Sequence, residues 1–238
     1  MGFEPSLGRV AYSEVLEDYL KKIFLLMGKK GRVTTSDLAR SFNVAPSTVT
    51  QTLKRLSQLK LIHHTPYYGV QLTPRGERLA LELVRHHRLL ELFLERTMGL
   101  PWERVHAEAD RLEHVISEEM EECLARHLGD PLYDPHGAPI PSRNLQFPRE
   151  PSLLLAELPI GVKATITAIE DEETKLLIFA RAHDLLPGSS LELKEKNNDE
   201  IQVKLEKGPL LTVPIVYALQ IWVRQKESPS DPRDQEGR

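Results

Sequence analysis

From residue 14 onward, apolar side chains recur at helical spacing. Val15, Leu16, Tyr19, Leu20, Ile23, Phe24 and Met27 share one face, and Gly28 and Gly31 supply a stop. A shorter helix follows, SDLARSF after Thr35, with Leu38, Ala39 and Phe42 inward. Asn43-Val44 makes a tight turn, and a second helix starts near Pro46, in APSTVTQTLKRLSQLKLI. Proline suits a first helical turn, where its missing N–H would have no partner anyway. Leu61-Ile62 and Val70-Gln71-Leu72 flank the turn-forming Pro66 and Gly69, which predicts a two-stranded wing. The order helix, helix, turn, helix, wing is that of a winged helix-turn-helix.

The period stays helical over 75–97 and again over about 101–128, giving two long helices. Six prolines and two glycines then fall within 129–151, a boundary by composition. Beyond it, IGVKATITAI, LELKEK, IQVKLEK and VPIVYALQIWVRQ alternate apolar and polar positions as half-buried strands do, around one short helix in TKLLIFARAHDLLPG. The fold class is therefore a mainly α N-terminal part followed by a small β-rich barrel. The predicted divisions are a DNA-binding domain at 1–75, a helical domain at 76–142, a Pro-rich linker at 143–152, the β-rich domain at 153–226 and a disordered tail at 227–238.

Charge changes this picture by locating a partner. The 238 residues carry 31 Lys+Arg against 35 Asp+Glu, but residues 1–75 balance at +6, 76–150 at −6 and 151–238 at −4. A basic first third coinciding with a helix-turn-helix points to double-stranded DNA. At the start of the recognition helix, Ser47, Thr48 and Thr50 offer hydroxyls to phosphates or base edges. Gln51 can pair with adenine, and Ala45 or Pro46 can touch a thymine methyl. Thr35, Lys54, Arg55 and Lys60 extend this side, and Tyr67 and Tyr68 of the wing can lie along the backbone. The lone Cys123 excludes an internal disulfide framework and reads as a buried structural thiol. No apolar run reaches the ~20 residues of a membrane span. The N-terminal stretch lacks the regions of a secretory leader, so a cytoplasmic protein is expected.

The helical domain holds the other chemistry. His106, Asp110, Glu113 and His114 fall on one stripe of a helix, and His87 and Glu91 stand at i, i+4 on the preceding one. Asp18 lies on the partly apolar side of the first helix. Carboxylates and imidazoles gathered in this way offer ligands to a divalent cation. No His-Glu-x-x-His and no Gly-x-Ser-x-Gly is present, Arg111 and Val84 stand three before His114 and His87 where a helical Glu-x-x-His would need glutamate, and no nucleophile stands beside a base, so an enzyme is not expected.

Three segments carry a family resemblance: APSTVTQTLKRL, RHHRLLELFL and above all GLPWERVHAEADRLEHVISEEME, with its His-x-x-x-Asp-x-x-Glu-His. Over residues 12–142 the chain resembles the diphtheria toxin repressor/manganese transport regulator family of metal-activated bacterial repressors. Its β-rich part is similar to the SH3-like (FeoA-type) domain of the longer members. The resemblance implies a homodimer on a palindromic operator and repression of metal-uptake genes. It implies a primary activating site of Asp18, Asp110, Glu113 and His114. A second site would use His87, Glu91 and His106, closed either by an acidic group of the SH3-like domain or by the linker. Glu173 is the first choice for that acid, with Asp171 and Glu172 beside it; the linker version uses Asp134 and His136 of DPHG.

Where the iron-responsive branch has Met and Cys, this chain has Asp18 and Asp110. Two carboxylates make a harder site, which favours Mn²⁺ over Fe²⁺ or another divalent ion. Lys21 stands where the simplest manganese members have a glutamate, so their binuclear cluster is not copied. Leu176 stands where the iron branch offers a second SH3-domain ligand. Metal would tie the DNA-binding domain to the helical domain and set the two recognition helices about 34 Å apart. The alternative is a winged-helix repressor that senses a small molecule, its acidic and histidine face being only structural.

Overall fold

The computed structural model describes residues 12–65, 68–148, 151–206 and 208–226, without the side chains of 29 and 30. Tyr67 and the 227–238 tail lie outside the described residues. The chain divides into two compact units. Among the described residues the first takes 12–87, 111–118 and 141–146; the second takes 88–110, 119–140 and 147–226.

The first unit is a winged helix-turn-helix. Helix α1 spans Glu14–Lys30 and ends on Gly31 in the left-handed conformation, φ 69°. Helix α2, Thr35–Phe42, begins with a reciprocal cap: Thr34 Oγ1 accepts from the Asp37 amide, and Asp37 accepts from the Thr34 amide. Asn43, left-handed at φ 51°, makes the turn into α3, Pro46–Gln58. Strands β1, Ile62–Thr65, and β2, Gly69–Leu72, pair antiparallel as the wing, and Val33 bridges to Val70. Leu16, Leu20, Ile23, Leu38, Val49 and Leu53 fill the core beneath.

Helix α4, Pro74–Arg96, leaves the wing at Gly76. A Cβ there would lie 2.0 Å from the Leu61 carbonyl oxygen, so only glycine lets the first turn of α4 meet the backbone before β1. Gly76→Ala is expected to cost about 3 kcal/mol through this overpacking despite alanine's better helix propensity, read as a lower urea midpoint.

The continuous helix expected over 101–128 is instead two. Helix α5 spans Val105–Leu112 and α6 spans Glu118–His127, with a turn at 113–115 between them. The β-branched Val115-Ile116 carry low helix propensity, and Ser117 is a residue type that begins a new helix at Glu118. Glu113 and His114 thus sit in a turn, off the helical stripe the spacing suggested. Cys123 is exposed on α6, correcting the expectation of a buried thiol; Arg126 Nη2 donates to its sulfur at 3.4 Å.

In the second unit an antiparallel six-stranded sheet follows the linker. Its order is β3 (Leu153–Leu154), β8 (Ile221–Gln225), β4 (Lys163–Ile169), β5 (Ser190–Lys196), β6 (Glu200–Leu205), β7 (Leu210–Pro214). Helix α7, Thr174–Ala182, crosses from β4 to β5 and buries Leu176, Leu177 and Ala180 in the core. The stretch VPIVYALQIWVRQ is not one strand: the short helix α8, Ile215–Ala218, separates β7 from β8.

Candidate metal centres and DNA-binding surface

The first cluster lies within the first unit. Asp18, on α1, and Glu113 and His114, in the turn after α5, place ligand atoms within 4.8 Å of one another. His114 is held at both ring nitrogens: Nδ1 lies 2.8 Å from Glu17 Oε2, and Nε2 lies 3.0 Å from Asp18 Oδ1. Its Nε2 is also 3.7 Å from Glu113 Oε1. Asp18 and Glu17 push the His114 pKa up to about 10. Glu113 is fully buried, with Lys21 Nζ donating to its two oxygens at 2.9 and 2.7 Å and His87 Nδ1 at 2.5 Å. Burial opposes its charge, but His87 and Lys21 outweigh that and hold the carboxyl below its usual range. His86 Nδ1 meets the Glu113 carbonyl at 3.2 Å from the buried side.

The second cluster lies within the second unit and is centred on the fully buried Glu91 of α4. On one side, Glu91, His106 and Asp171 bring ligand atoms within 4.8 Å of one another. His106 Nδ1 is 3.2 Å from Glu91 Oε1 and 3.6 Å from Asp171 Oδ2. On the other side stand Asp134 and His136 of the linker, with Glu91 again as the third member. Glu91 is thus common to both versions of the second site. His87 lies one helical turn before it on α4, at the end of the first unit.

Local sequence aims the linker ligands. Asp134 Oδ1 accepts the amides of His136 and Ala138 at 2.8 and 2.9 Å, an Asx turn. Its Oδ2 is buried without a hydrogen-bond partner, 3.6 Å from Arg88 Nε. His136 Nε2 donates to the Trp102 carbonyl at 3.0 Å, so Nδ1 is the atom left to carry a proton or a metal. That Nδ1 is buried, has no hydrogen-bond partner among the described residues, and lies 3.7 Å from Glu91 Oε1. Gly137, φ +85°, lets the turn press onto β4; a Cβ there would lie 2.0 Å from Thr167 O. The Ile169 amide donates to His136 O at 2.9 Å, and Trp102 Nε1 to Pro135 O at 3.0 Å.

Charges in this cluster are strongly coupled. Burial works against a charged His106, but Asp171 and Glu91 prevail and push its pKa up to about 11. Burial likewise opposes His136, which the carboxylate of Glu91 still lifts to about 9. Burial, then repulsion from Glu91, raises Asp134 to about 7. Partial burial and repulsion from Glu91 oppose the charge of Asp171, yet His106 holds its carboxyl well below the usual range. Two carboxylates sharing histidines in a buried space are the arrangement that a divalent cation neutralises.

Of the residues expected in these sites, Asp18, Glu113 and His114 come together, as do Glu91, His106, Asp134 and His136. Asp110 is on α5 in the second unit, half-exposed, with Oδ2 3.5 Å from His106 Nε2. The acid that reaches the second cluster from the SH3-like domain is Asp171; Glu173 is exposed immediately before α7. Glu17 was not expected at all. Its position beside Asp18 on α1 was the available signal, but adjacent helix residues point about 100° apart, which hid the link.

On the DNA-binding side, Ala45, Pro46, Ser47, Thr48, Thr50, Gln51, Lys54 and Arg55 are exposed, while Val49, Leu53 and Leu56 are buried. Thr50 Oγ1 donates to the Pro46 carbonyl at 2.8 Å, so its hydroxyl faces outward as an acceptor rather than the expected donor. Tyr68 is exposed at the wing tip, and Thr35 is half-buried at the start of α2.

A winged helix-turn-helix joined to a carboxylate–histidine helical segment and a small β-domain defines a class of metal-responsive DNA-binding regulators. Comparison with known families agrees. The iron dependent repressor N-terminal DNA binding domain matches residues 11–70, the metal binding and dimerisation domain of the same repressors matches 73–142, and the FeoA domain matches 153–225. The iron-dependent repressor IdeR of Mycobacterium bovis is 36% identical over 155 residues, covering 62% of this chain and 67% of the relative. The HTH-type transcriptional regulator MntR of Lysinibacillus sphaericus is 38% identical over 102 residues, 43% of this chain and 73% of the relative. A solved manganese-dependent transcriptional repressor in complex with manganese superposes with a TM-score of 0.85 at 32% identity, covering 89% of this chain and 100% of that one. This chain belongs to the iron-dependent repressor family.

Proposed function

We propose that this protein is a homodimeric transcriptional repressor, activated by a divalent metal ion and acting on a palindromic operator, with Mn²⁺ as the activating ion. The observation that carries this reading is the convergence of Asp18, Glu113 and His114. That group links α1 of the DNA-binding domain to the turn at 113–115 through oxygen and imidazole donors alone. Such donors fit Mn²⁺, which prefers oxygen and nitrogen and lies low in the divalent affinity order; no thiolate is present to select a softer metal. The same donors also accept Fe²⁺, Co²⁺ or Zn²⁺.

Asp18, Glu113 and His114 would hold the activating ion. A bound ion would supply positive charge to offset two carboxylates, with His114 Nε2 free to ligate once it has lost its proton. The residues themselves set the geometry. Asp18 fixes α1, and with it the helix-turn-helix packed on α1, to the turn. Glu91 with His106 and Asp171, and on its other side Asp134 and His136, form the second site. Stabilising one arrangement of α1 shifts the population toward the dimer whose recognition helices match successive turns of the operator, about 34 Å apart.

Operator affinity at fixed salt tests this, with metal-free protein, Mn²⁺, Fe²⁺ and Zn²⁺, and with Asp18→Ala alongside. The expected result is a gain of at least about tenfold with Mn²⁺, within the usual range of allosteric coupling, that Asp18→Ala removes. Equal affinity with and without metal would leave a DNA-binding protein that answers to some other signal.

A further inference from the structure

We propose that Glu17 is a positioning residue of the first metal centre: it does not ligate, but holds the His114 ring so that Nε2 faces the donor oxygens of Asp18 and Glu113. This inference rests on the reading that Asp18, Glu113 and His114 hold the activating ion.

The argument starts from the two faces of one imidazole. The ring nitrogens point in widely divergent directions, so a partner on one cannot also share a ligand position with the other. Glu17 Oε2 is 2.8 Å from Nδ1, and Asp18 Oδ1 is 3.0 Å from Nε2. Glu113 Oε1 is on the Nε2 side as well, at 3.7 Å. Glu17 is buried and absent from the Asp18–Glu113–His114 group, so it lies behind the ring rather than in the site. A carboxylate accepting Nδ1–H fixes the tautomer that leaves Nε2 as the ligand atom. It also makes that nitrogen a better donor to a cation.

Consecutive residues of α1 therefore perform distinct tasks on the same histidine. Asp18 meets Nε2 from the site side, whereas Glu17 meets Nδ1 from the protein side. A rotation of the ring by half a turn would present carbon atoms where Nε2 now stands. Without Glu17 the ring loses the hydrogen bond that opposes such a rotation.

The test is Mn²⁺ titration of the full-length protein by electron paramagnetic resonance. Asp18→Ala identifies which binding component belongs to the first centre. Glu17→Ala is expected to weaken that component about 10–100-fold, the usual loss when an outer hydrogen-bond partner of a ligating histidine is removed. The component that survives Asp18→Ala should be unchanged. Glu17→Gln keeps an amide oxygen for Nδ1–H, preserves the shape of the buried side chain and should lose less. Proton–nitrogen correlation of the Zn²⁺-loaded protein gives an independent readout: Nδ1 of His114 should carry the proton, and its signal should broaden or vanish in Glu17→Ala. Wild-type affinity in both Glu17 variants, or metal on Nδ1, overturns the proposal. If Asp18→Ala removes no component, the assignment of the first centre fails instead, before Glu17 is in question.

Discussion

Glu113→Ala is expected to destabilise the metal-free protein by about 3 kcal/mol, because it removes the buried carboxylate that accepts from the part-buried Lys21 ammonium and from His87. Lys21 is 12% exposed and Glu113 1%, so the pair is largely shielded from solvent. His87, which shares the same carboxylate, is left facing Lys21 with Nδ1 and Nζ 2.9 Å apart. Chemical denaturation measures the loss, and Lys21→Met/Glu113→Leu distinguishes its cause. Removing both charges should recover most of the stability, since a buried pair replaced by apolar groups is often neutral. A double variant as unstable as the single one would mean that packing around Glu113, not charge, carries the effect.

The acid limb of stability gives the sign. The Glu113 carboxyl ionises below its ordinary range in the folded protein. Its contribution is therefore complete above the unfolded carboxylate pKa and is lost as pH falls through the lower folded value. Wild-type protein should lose stability on acidification below about pH 4.5, and Glu113→Ala should show a shallower slope there. The same variant should also lose metal-dependent operator binding, because one of three converging ligands is gone. Lys21 connects the two effects: it holds Glu113 in place in the metal-free protein and adds a fixed positive charge beside the ion that Glu113 would bind.

The helix-turn-helix was legible because its local rules agree: the Asn43-Val44 turn, Pro46 opening α3 and the buried stripe of Val49, Leu53 and Leu56. The reciprocal Thr34–Asp37 cap, which starts α2 one residue earlier than expected, was not read. Nor was the break between α5 and α6. The apolar period continues through 101–128, and only Ser117 behind two β-branched residues marks an interruption, a weak local signal against a strong period. Likewise Asp171, Glu172 and Glu173 are chemically almost interchangeable. Which one turns inward depends on where β4 ends against the linker, where the Ile169 amide donates to His136 O, and that contact is distant in sequence. The linker histidine shows the reverse case. Asp-Pro-His-Gly carries its own geometry, because an aspartate that caps the amides two and four residues on, followed by a glycine at positive φ, fixes His136 locally. The lone cysteine misled because a thiol's hydrophobicity says little about which face of an amphipathic helix it occupies.

Glu91→Gln is expected to abolish metal binding at the second centre while leaving the first intact. Losing a ligand outright should exceed the roughly 10–100-fold cost of losing an outer partner. Glu91 Oε1 lies 3.2 Å from His106 Nδ1 and 3.7 Å from His136 Nδ1, so one carboxylate serves both groups of donors. The amide fits the same volume but cannot offset two cations or a divalent ion. In the metal-free protein the histidine pKa values, raised to about 11 and about 9, should both fall, because Glu91 contributes to each. Asp134 should ionise more readily once the neighbouring negative charge is gone. For raised histidines, the stabilisation is complete below the unfolded pKa near 6.5 and disappears as pH rises through the folded values. Wild-type metal-free protein should therefore lose stability on the alkaline side, and Glu91→Gln should lose less of it. A metal can take these nitrogens only by displacing their protons, so wild-type binding at the second centre should release protons and tighten with rising pH. Calorimetry in two buffers of different ionisation enthalpy counts those protons directly. Undiminished proton release in Glu91→Gln would show that the released protons do not come from a Glu91-dependent site, and that the orphaned Nδ1 of His136 serves the fold rather than a metal.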